Sequence, residues 1–151
     1  MKEFNLMLSA SRYHDISCGH VVFGHENKCQ HLHGHNYRIH FNITGECDAV
    51  GRVIDFGVIK SLLCEWLEDN WDHRFLVWEN HPLALGLKAL DIQGVLLLPF
   101  NPTAENMAQY LLMVIGPQQL VDWPVRLIQV VVEETAKCQA VASIVDGKNT
   151  A

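Results

Sequence analysis

The sequence predicts an α+β domain, an antiparallel β-sheet with two helices on one face, and three patterns carry that prediction. Residues 35–45 alternate, with Tyr37, Ile39, Phe41 and Ile43 on one parity and Asn36, Arg38, His40, Asn42 and Thr44 on the other, as in a half-buried strand. Two further segments keep the three-four spacing of a helix: Ile59, Leu62, Leu63, Trp66 and Leu67, then Ala104, Met107, Ala108, Leu111, Leu112 and Ile115. The strands around them complete a two-layer pattern in which both helices cover the same sheet face.

Taken in order, Phe4, Leu6 and Leu8 alternate and predict an opening strand, and Ile16 to Val22 can form a strand beside that of residues 35–45. Asp55 is placed to cap the first helix, whose polar side carries Lys60, Glu65 and Glu68. The apolar run Val95 to Leu98 reads as a short buried strand. Pro102-Thr103 opens the second helix and Gly116-Pro117 is expected to end it. Two more strands, Arg126 to Glu134 and Cys138 to Val145, close the order.

Composition narrows the classes of function. A chain of 151 residues, 49% hydrophobic, suits one domain covering 1–151. No apolar run is long enough to span a bilayer, and Met1-Lys2-Glu3-Phe4-Asn5 lacks the layout of a secretory signal, so a cytoplasmic protein with no membrane partner is expected. A net charge of -6 without a basic stripe argues against nucleic acid as a partner. The five cysteines are odd in number and form no Cys-x-x-Cys pair, which suggests neither a disulfide framework nor a four-cysteine zinc knot. Cys18, Cys47, Cys64 and Cys138 are expected to be small buried hydrophobes.

Histidine is distributed very unevenly: seven of nine lie between residues 14 and 40, three of them in Cys29-Gln-His31-Leu-His33-Gly-His35. A neutral imidazole is the commonest metal ligand. If the strand of residues 35–45 starts early enough, His33 and His35 project to its apolar side, because one face repeats every two residues. His31 is a poor third ligand, since three alternate residues spread over about 14 Å of strand. The third ligand then comes from elsewhere, and His20 is preferred to His14 and His25 because Ile16 to Val22 can end beside the pair. His40 sits on the polar parity and is expected to be solvated. Solvated or core-satisfied histidines are the plainer reading of the whole cluster.

Three other groups fit a metal-assisted reaction. Cys29 stands beside Lys28 and near the proposed metal, surroundings that favour a thiolate able to remove a proton; as a fourth ligand it would instead close the site. Asp72-His73 puts an acid beside an imidazole. Glu134 continues the parity of Ile128, Val130 and Val132 and is expected to turn inward, where a carboxylate needs a donor: either a core arginine or a ligand with a planar pair of N–H groups.

The run Gly24-His25-Glu26-Asn27-Lys28-Cys29-Gln30-His31-Leu32-His33-Gly34-His35-Asn36-Tyr37 resembles the signature of the 6-pyruvoyl-tetrahydropterin and 6-carboxy-tetrahydropterin synthase family. Ile54-Asp55-Phe56, Asp72-His73-Arg74-Phe75-Leu76, Pro102-Thr103-Ala104-Glu105-Asn106 and Glu134-Thr135 resemble further landmarks of that family, in its order. The resemblance implies a tunnelling fold (T-fold), in which subunits join their sheets into an oligomeric barrel, commonly a homohexamer with active sites at subunit interfaces. It implies zinc (Zn2+) on His20, His33 and His35, Cys29 as catalytic thiol, Asp72 and His73 completing a proton-relay triad, and Glu134 gripping the pterin ring.

The three residues between Cys29 and His33 resemble the carboxy branch. That branch implies a zinc-dependent lyase that converts 7,8-dihydroneopterin triphosphate to 6-carboxy-tetrahydropterin, with release of acetaldehyde and triphosphate, in queuosine (7-deazaguanine) biosynthesis. The chain departs from the family in having Cys18-Gly19-His20 where Ala-Ala-His is frequent, and in carrying extra residues between Leu76 and Pro102. The alternatives are a 6-pyruvoyl-type elimination of triphosphate, a generic zinc hydrolase, and a non-catalytic zinc- or pterin-binding oligomer.

Overall fold

One long antiparallel pair organises the sheet. Strand β1 (Ser9–His20) runs against β2 (His33–Gly45) in continuous register, from Ser9 opposite Thr44 to His20 opposite His33. The alternation of β2 translates directly into burial: Tyr37, Ile39, Phe41 and Ile43 are all buried, while Asn36 and Arg38 on the other parity are exposed. The computed structural model describes residues 2–145.

Four shorter strands flank this pair: β3 (Phe75–Trp78), β4 (Val95–Leu98), β5 (Val125–Glu133) and β6 (Gln139–Ser143), in the sheet order β4-β3-β1-β2-β5-β6. The sheet is mixed. β5 and β6 continue antiparallel from β2, but β3 runs parallel to β1, and β4 parallel to β3. This corrects the expectation of a wholly antiparallel sheet. The extra residues between Leu76 and Pro102 are a crossover: β3, a short helix (Ala84–Leu90) and β4. A parallel neighbour requires such a crossover because the chain must return to the same end of the sheet.

Both long helices start at the expected caps. The Asp55 carboxylate accepts from Gly57 N at 2.7 Å, and the Thr103 hydroxyl accepts from Asn106 N at 3.1 Å. The first helix runs through Phe56–Ile59, a π turn Lys60–Cys64 and Glu65–Asn70, burying Ile59, Leu63 and Leu67. The second runs through Ala104–Tyr110, a π turn Leu111–Ile115 and Gly116–Gln119, so Gly116-Pro117 does not end it. Gly116 N donates to Leu111 O, five residues back, and this slipped register receives a proline that has no N–H to offer. Both helices pack on the buried parity of β1 and β2, forming one cluster with Ile16, Tyr37, Ile39, Phe41, Leu67, Trp71, Met107, Leu111 and Val130. Among the described residues, no helix is long and apolar enough to cross a membrane.

Other expectations need correction. Phe4, Leu6 and Leu8 are not a strand: β1 begins at Ser9, and Phe4 and Leu6 are 87% and 84% exposed. β2 ends at Gly45, opposite the start of β1, so no strand remains for residues 4–8 to pair with. Cys18 and Cys64 are buried as expected, but Cys47 and Cys138 are exposed, lying in connections outside the core. β5 carries a bulge at Ile128, since Asn42 pairs with Gln129 and the next residue, Ile43, pairs with Leu127. The bulge turns Leu127 into the core in place of Ile128.

Phe41 is 1% exposed at the centre of this packing. Phe41→Ala is expected to destabilise the protein by about 3–5 kcal/mol, measured as a shift of the urea unfolding midpoint at unchanged slope.

Candidate active site

The apolar face of the β1–β2 pair ends in imidazoles. His20 closes β1, His33 opens β2 directly opposite, and His35 follows on the same face, next in line with buried Tyr37. Glu134, one residue beyond β5, keeps the inward parity of Val130 and Val132 and meets them. One ligand atom from each of His20, His33, His35 and Glu134 lies within 4.8 Å of all the others. His20 and His33 approach through Nε2 at 2.9 Å, and Glu134 Oε1 is 3.2 Å from His20 Nε2 and 3.1 Å from His35 Nε2.

The donor set suits a metal because its tautomers are fixed from behind. Nδ1 of His20 lies 2.7 Å from the carbonyl oxygen of Pro102, and Nδ1 of His33 lies 2.7 Å from that of His31. A carbonyl only accepts, so each Nδ1 carries a proton and each Nε2 is the ring atom turned into the cluster. Nε2 of His35 is buried without a hydrogen bond, its approach to Glu134 lacking the angle for one. Burial pushes His35 below the ordinary histidine value against the opposing pull of Glu134, which keeps the ring neutral and able to ligate. Contact with His20 outweighs burial at Glu134 and holds its carboxyl below the ordinary value, as a carboxylate. Three imidazoles with an adjacent carboxylate form a nitrogen-rich site of the kind that zinc favours.

The remaining histidines are engaged elsewhere. His14 Nε2 meets Glu68 at 2.5 Å, His25 Nδ1 accepts from Asn27 N at 2.9 Å, and His40 meets Glu133 at 2.5 Å. His31 contributes only its backbone carbonyl. The core arginine considered for Glu134 is not its partner; the imidazoles are. Two elements of the site went unread in the sequence: the Pro102 carbonyl, which has no side-chain signal, and Tyr37. The Tyr37 hydroxyl lies 3.2 Å from His20 Nδ1, and burial pushes its ionisation far above the ordinary value. Its parity with His33 and His35 was the available clue.

Cys29 is half-buried on a 3-10 turn (Lys28–Gln30) in the loop joining β1 to β2, and its carbonyl accepts from Val22 N at 3.0 Å. It stands outside the four-residue cluster. Asp72 and His73 follow the first long helix, and their adjacency becomes contact: Asp72 Oδ2 lies 2.7 Å from His73 Nδ1, while Oδ1 accepts from Ser17 N at 2.8 Å. Burial raises the Asp72 carboxyl, but the Ser17 N–H and His73 outweigh it and hold it below the ordinary value. His73 has φ of 58°, left-handed for a side chain larger than glycine, and its N–H donates to Ser17 O at 2.7 Å. Its imidazole is 81% exposed and shares a cleft with Ser17 and Asn36, which have the parity opposite to His20 and His35. Among the described residues, no hydrogen bond joins Asp72 or His73 to Cys29.

The sequence profile of the 6-pyruvoyl tetrahydropterin synthase family matches residues 9–144. The chain belongs to this family. A relative from Rickettsia typhi named 6-carboxy-5,6,7,8-tetrahydropterin synthase is 34% identical over 134 residues, 87% of this chain and 97% of the relative. A probable 6-carboxy-5,6,7,8-tetrahydropterin synthase from Halobacterium salinarum is 38% identical over 106 residues, 70% of this chain and 67% of the relative. Among solved structures, an uncharacterized protein from Wolinella succinogenes superposes with a TM-score of 0.81 at 22% identity, covering 92% of this chain and 99% of that one. The 6-pyruvoyl tetrahydropterin synthase of Caenorhabditis elegans gives a TM-score of 0.62 at 23% identity, covering 93% and 97%. The fold is therefore the family's tunnelling fold, here a six-stranded mixed sheet with the helices on one face.

His35→Ala removes the imidazole whose Nε2 is buried and unpaired. Retained metal is expected to fall well below that of the parent protein, checked by elemental analysis after dialysis against trace divalent metals.

Proposed function

We propose that the protein is a zinc-dependent 6-carboxy-5,6,7,8-tetrahydropterin synthase acting in queuosine (7-deazaguanine) biosynthesis. Its substrate would be 7,8-dihydroneopterin triphosphate, converted to 6-carboxy-tetrahydropterin with release of acetaldehyde and triphosphate. The observation that carries this reading is the convergence of His20, His33, His35 and Glu134 in a chain of this family. The name of the Rickettsia typhi relative, matched over nearly its whole length, favours the carboxy reaction over the pyruvoyl one.

His20, His33 and His35 would hold zinc through Nε2, and the ion would supply a Lewis acid for negative charge developing on the substrate's side-chain oxygens. Cys29, as a thiolate, would take a proton from the side-chain carbon. His73 would deliver a proton, with Asp72 holding Nδ1 so that Nε2 faces the substrate. Glu134, kept ionised, would accept two parallel N–H bonds from the guanidine-like edge of the pterin. In that role it leaves the fourth metal position open to substrate, as a catalytic site requires.

His73 is 81% exposed, and among the described residues no hydrogen bond joins it or Asp72 to Cys29, so on this reading a second copy presents them to Cys29. We therefore propose a homohexamer with active sites shared between subunits, an assembly that makes the exposure of His73 functional.

The deciding experiment is mass spectrometry of the products formed by zinc-loaded protein from 7,8-dihydroneopterin triphosphate without reductant. The reading expects 6-carboxy-tetrahydropterin and acetaldehyde; a 6-pyruvoyl product or unchanged substrate defeats it. Cys29→Ala is expected to keep zinc and lose turnover by about a hundredfold or more, and unimpaired turnover would remove Cys29 from the mechanism. Mixing inactive Cys29→Ala and His73→Ala subunits should restore part of the activity, because some interfaces then combine an intact Cys29 with an intact His73. Absence of any recovery after verified subunit exchange argues for sites built within one chain.

A further inference from the structure

The loop of residues 21–32 carries Cys29, and among its internal bonds the one from Val22 N to Cys29 O at 3.0 Å spans most of its length. The next residue, Phe23, lies beyond the end of β1 and has no strand beside it. Its N–H donates to Asn101 Oδ1 at 3.0 Å, and its carbonyl accepts from Asn101 Nδ2 at 2.9 Å. A carboxamide presents an acceptor and a donor side by side, so one side chain makes both bonds that a neighbouring strand would exchange with Phe23.

Asn101 is itself held in place. Its carbonyl accepts from Asn106 Nδ2 at 2.9 Å and from Thr103 N at 2.8 Å, at the capped start of the second long helix. The residue after it, Pro102, offers the carbonyl that lies 2.7 Å from His20 Nδ1. Two consecutive residues thus reach both halves of the site, Asn101 through its side chain to the Cys29 loop and Pro102 through its backbone to the imidazole cluster.

We infer that Asn101 is a positioning residue that sets the Cys29 loop relative to His20, His33 and His35 by bonding both backbone groups of Phe23. The inference rests on the reading of Cys29 as the reacting thiol. Asn101 touches neither substrate nor metal in this role; it acts through Phe23 and Val22.

The test uses zinc-loaded Asn101→Ala, which removes both bonds, and Asn101→Asp, which keeps an acceptor for Phe23 N–H and loses the donor. In Asn101→Ala, zinc content should match the parent, and amide hydrogen exchange over residues 22–29 should accelerate about tenfold, the scale set by losing a hydrogen bond. Exchange over residues 36–43 of β2 should not change. Turnover of 7,8-dihydroneopterin triphosphate should fall about tenfold in kcat with KM within about twofold, and Asn101→Asp should keep more of it than Asn101→Ala. Unchanged exchange over residues 22–29 overturns the inference, as does acceleration shared equally by β2, which marks general destabilisation. Faster loop exchange with undiminished kcat also overturns it, since the loop then has no bearing on the chemistry. Should Asn101→Ala fail to fold, Asn101→Asp is judged by the same exchange and kinetic criteria. If the parent protein itself does not turn over the pterin, the functional reading fails, and the exchange and zinc arms alone decide whether Asn101 holds the loop.

Discussion

The register of β1 on β2 is the constraint on which the rest depends. His20 faces His33 across the ladder, and a slip of one residue would send His33 and His35, with Tyr37 and Ile39, to the other side of the sheet. The apolar row therefore fixes the imidazoles as well as the core, since any pairing that misplaced the ligands would also expose Ile39, Phe41 and Ile43. Behind the imidazoles the opposed pair is Gly19 and Gly34. A Cβ on Gly19 would come within 2.5 Å of the Phe75 ring, and one on Gly34 within 3.1 Å of Cys18 O. Gly19 lets Phe75 at the start of β3 pack tightly against the pair where the ligands sit, and Gly34 lets β1 and β2 approach closely beside it.

Around this frame the site is built from groups that act in series. Burial lowers His35 below the ordinary histidine value, the Pro102 and His31 carbonyls anchor Nδ1 of His20 and His33, and the hydrogen bond from His20 in turn holds the Glu134 carboxyl below its ordinary value. Only the His31–His33 contact is local in sequence: His20 and Pro102 are 82 residues apart, and Glu134 comes from the far end of the chain. The second long helix contributes through its first turn, whose cap fixes the 101–102 segment. The same helix supplies Met107, Ala108 and Leu111 to the core, so packing energy and site geometry share one element.

Much of this was legible in the sequence where a period or a cap carried the signal. The parity of β2 placed His33 and His35 inward, the expectation of a neighbouring strand selected His20, and Asp55 and Thr103 marked both helix starts. The parity of Val130 and Val132 also turned Glu134 inward, although its meeting with the imidazoles needed the fold. What escaped lacked a period. β3, Phe75–Trp78, follows directly on the Asp72-His73-Arg74 segment and shows no alternation to set it apart as a strand. Phe4, Leu6 and Leu8 had the alternation without a partner, which pattern alone cannot reveal. Gly116-Pro117 is a strong stop signal that a π turn overrode. The grip of Asn101 on Phe23 left no trace because a lone asparagine before a proline reads equally well as turn chemistry.

The bulge at Ile128 has a consequence for how the chain tolerates change. Leu127 faces the core on odd numbering, whereas Val130, Val132 and Glu134 face inward on even numbering, and the extra residue between them absorbs the difference. The strand is thus divided into two segments phased separately, one by packing beneath the second helix and the other by the imidazoles. Insertions or deletions in the turn entering β5 would be compensated upstream of Gln129, leaving the carboxylate of Glu134 aimed as before. The bulge acts as an expansion joint: the entrance to the strand can drift in length while its functional end stays fixed.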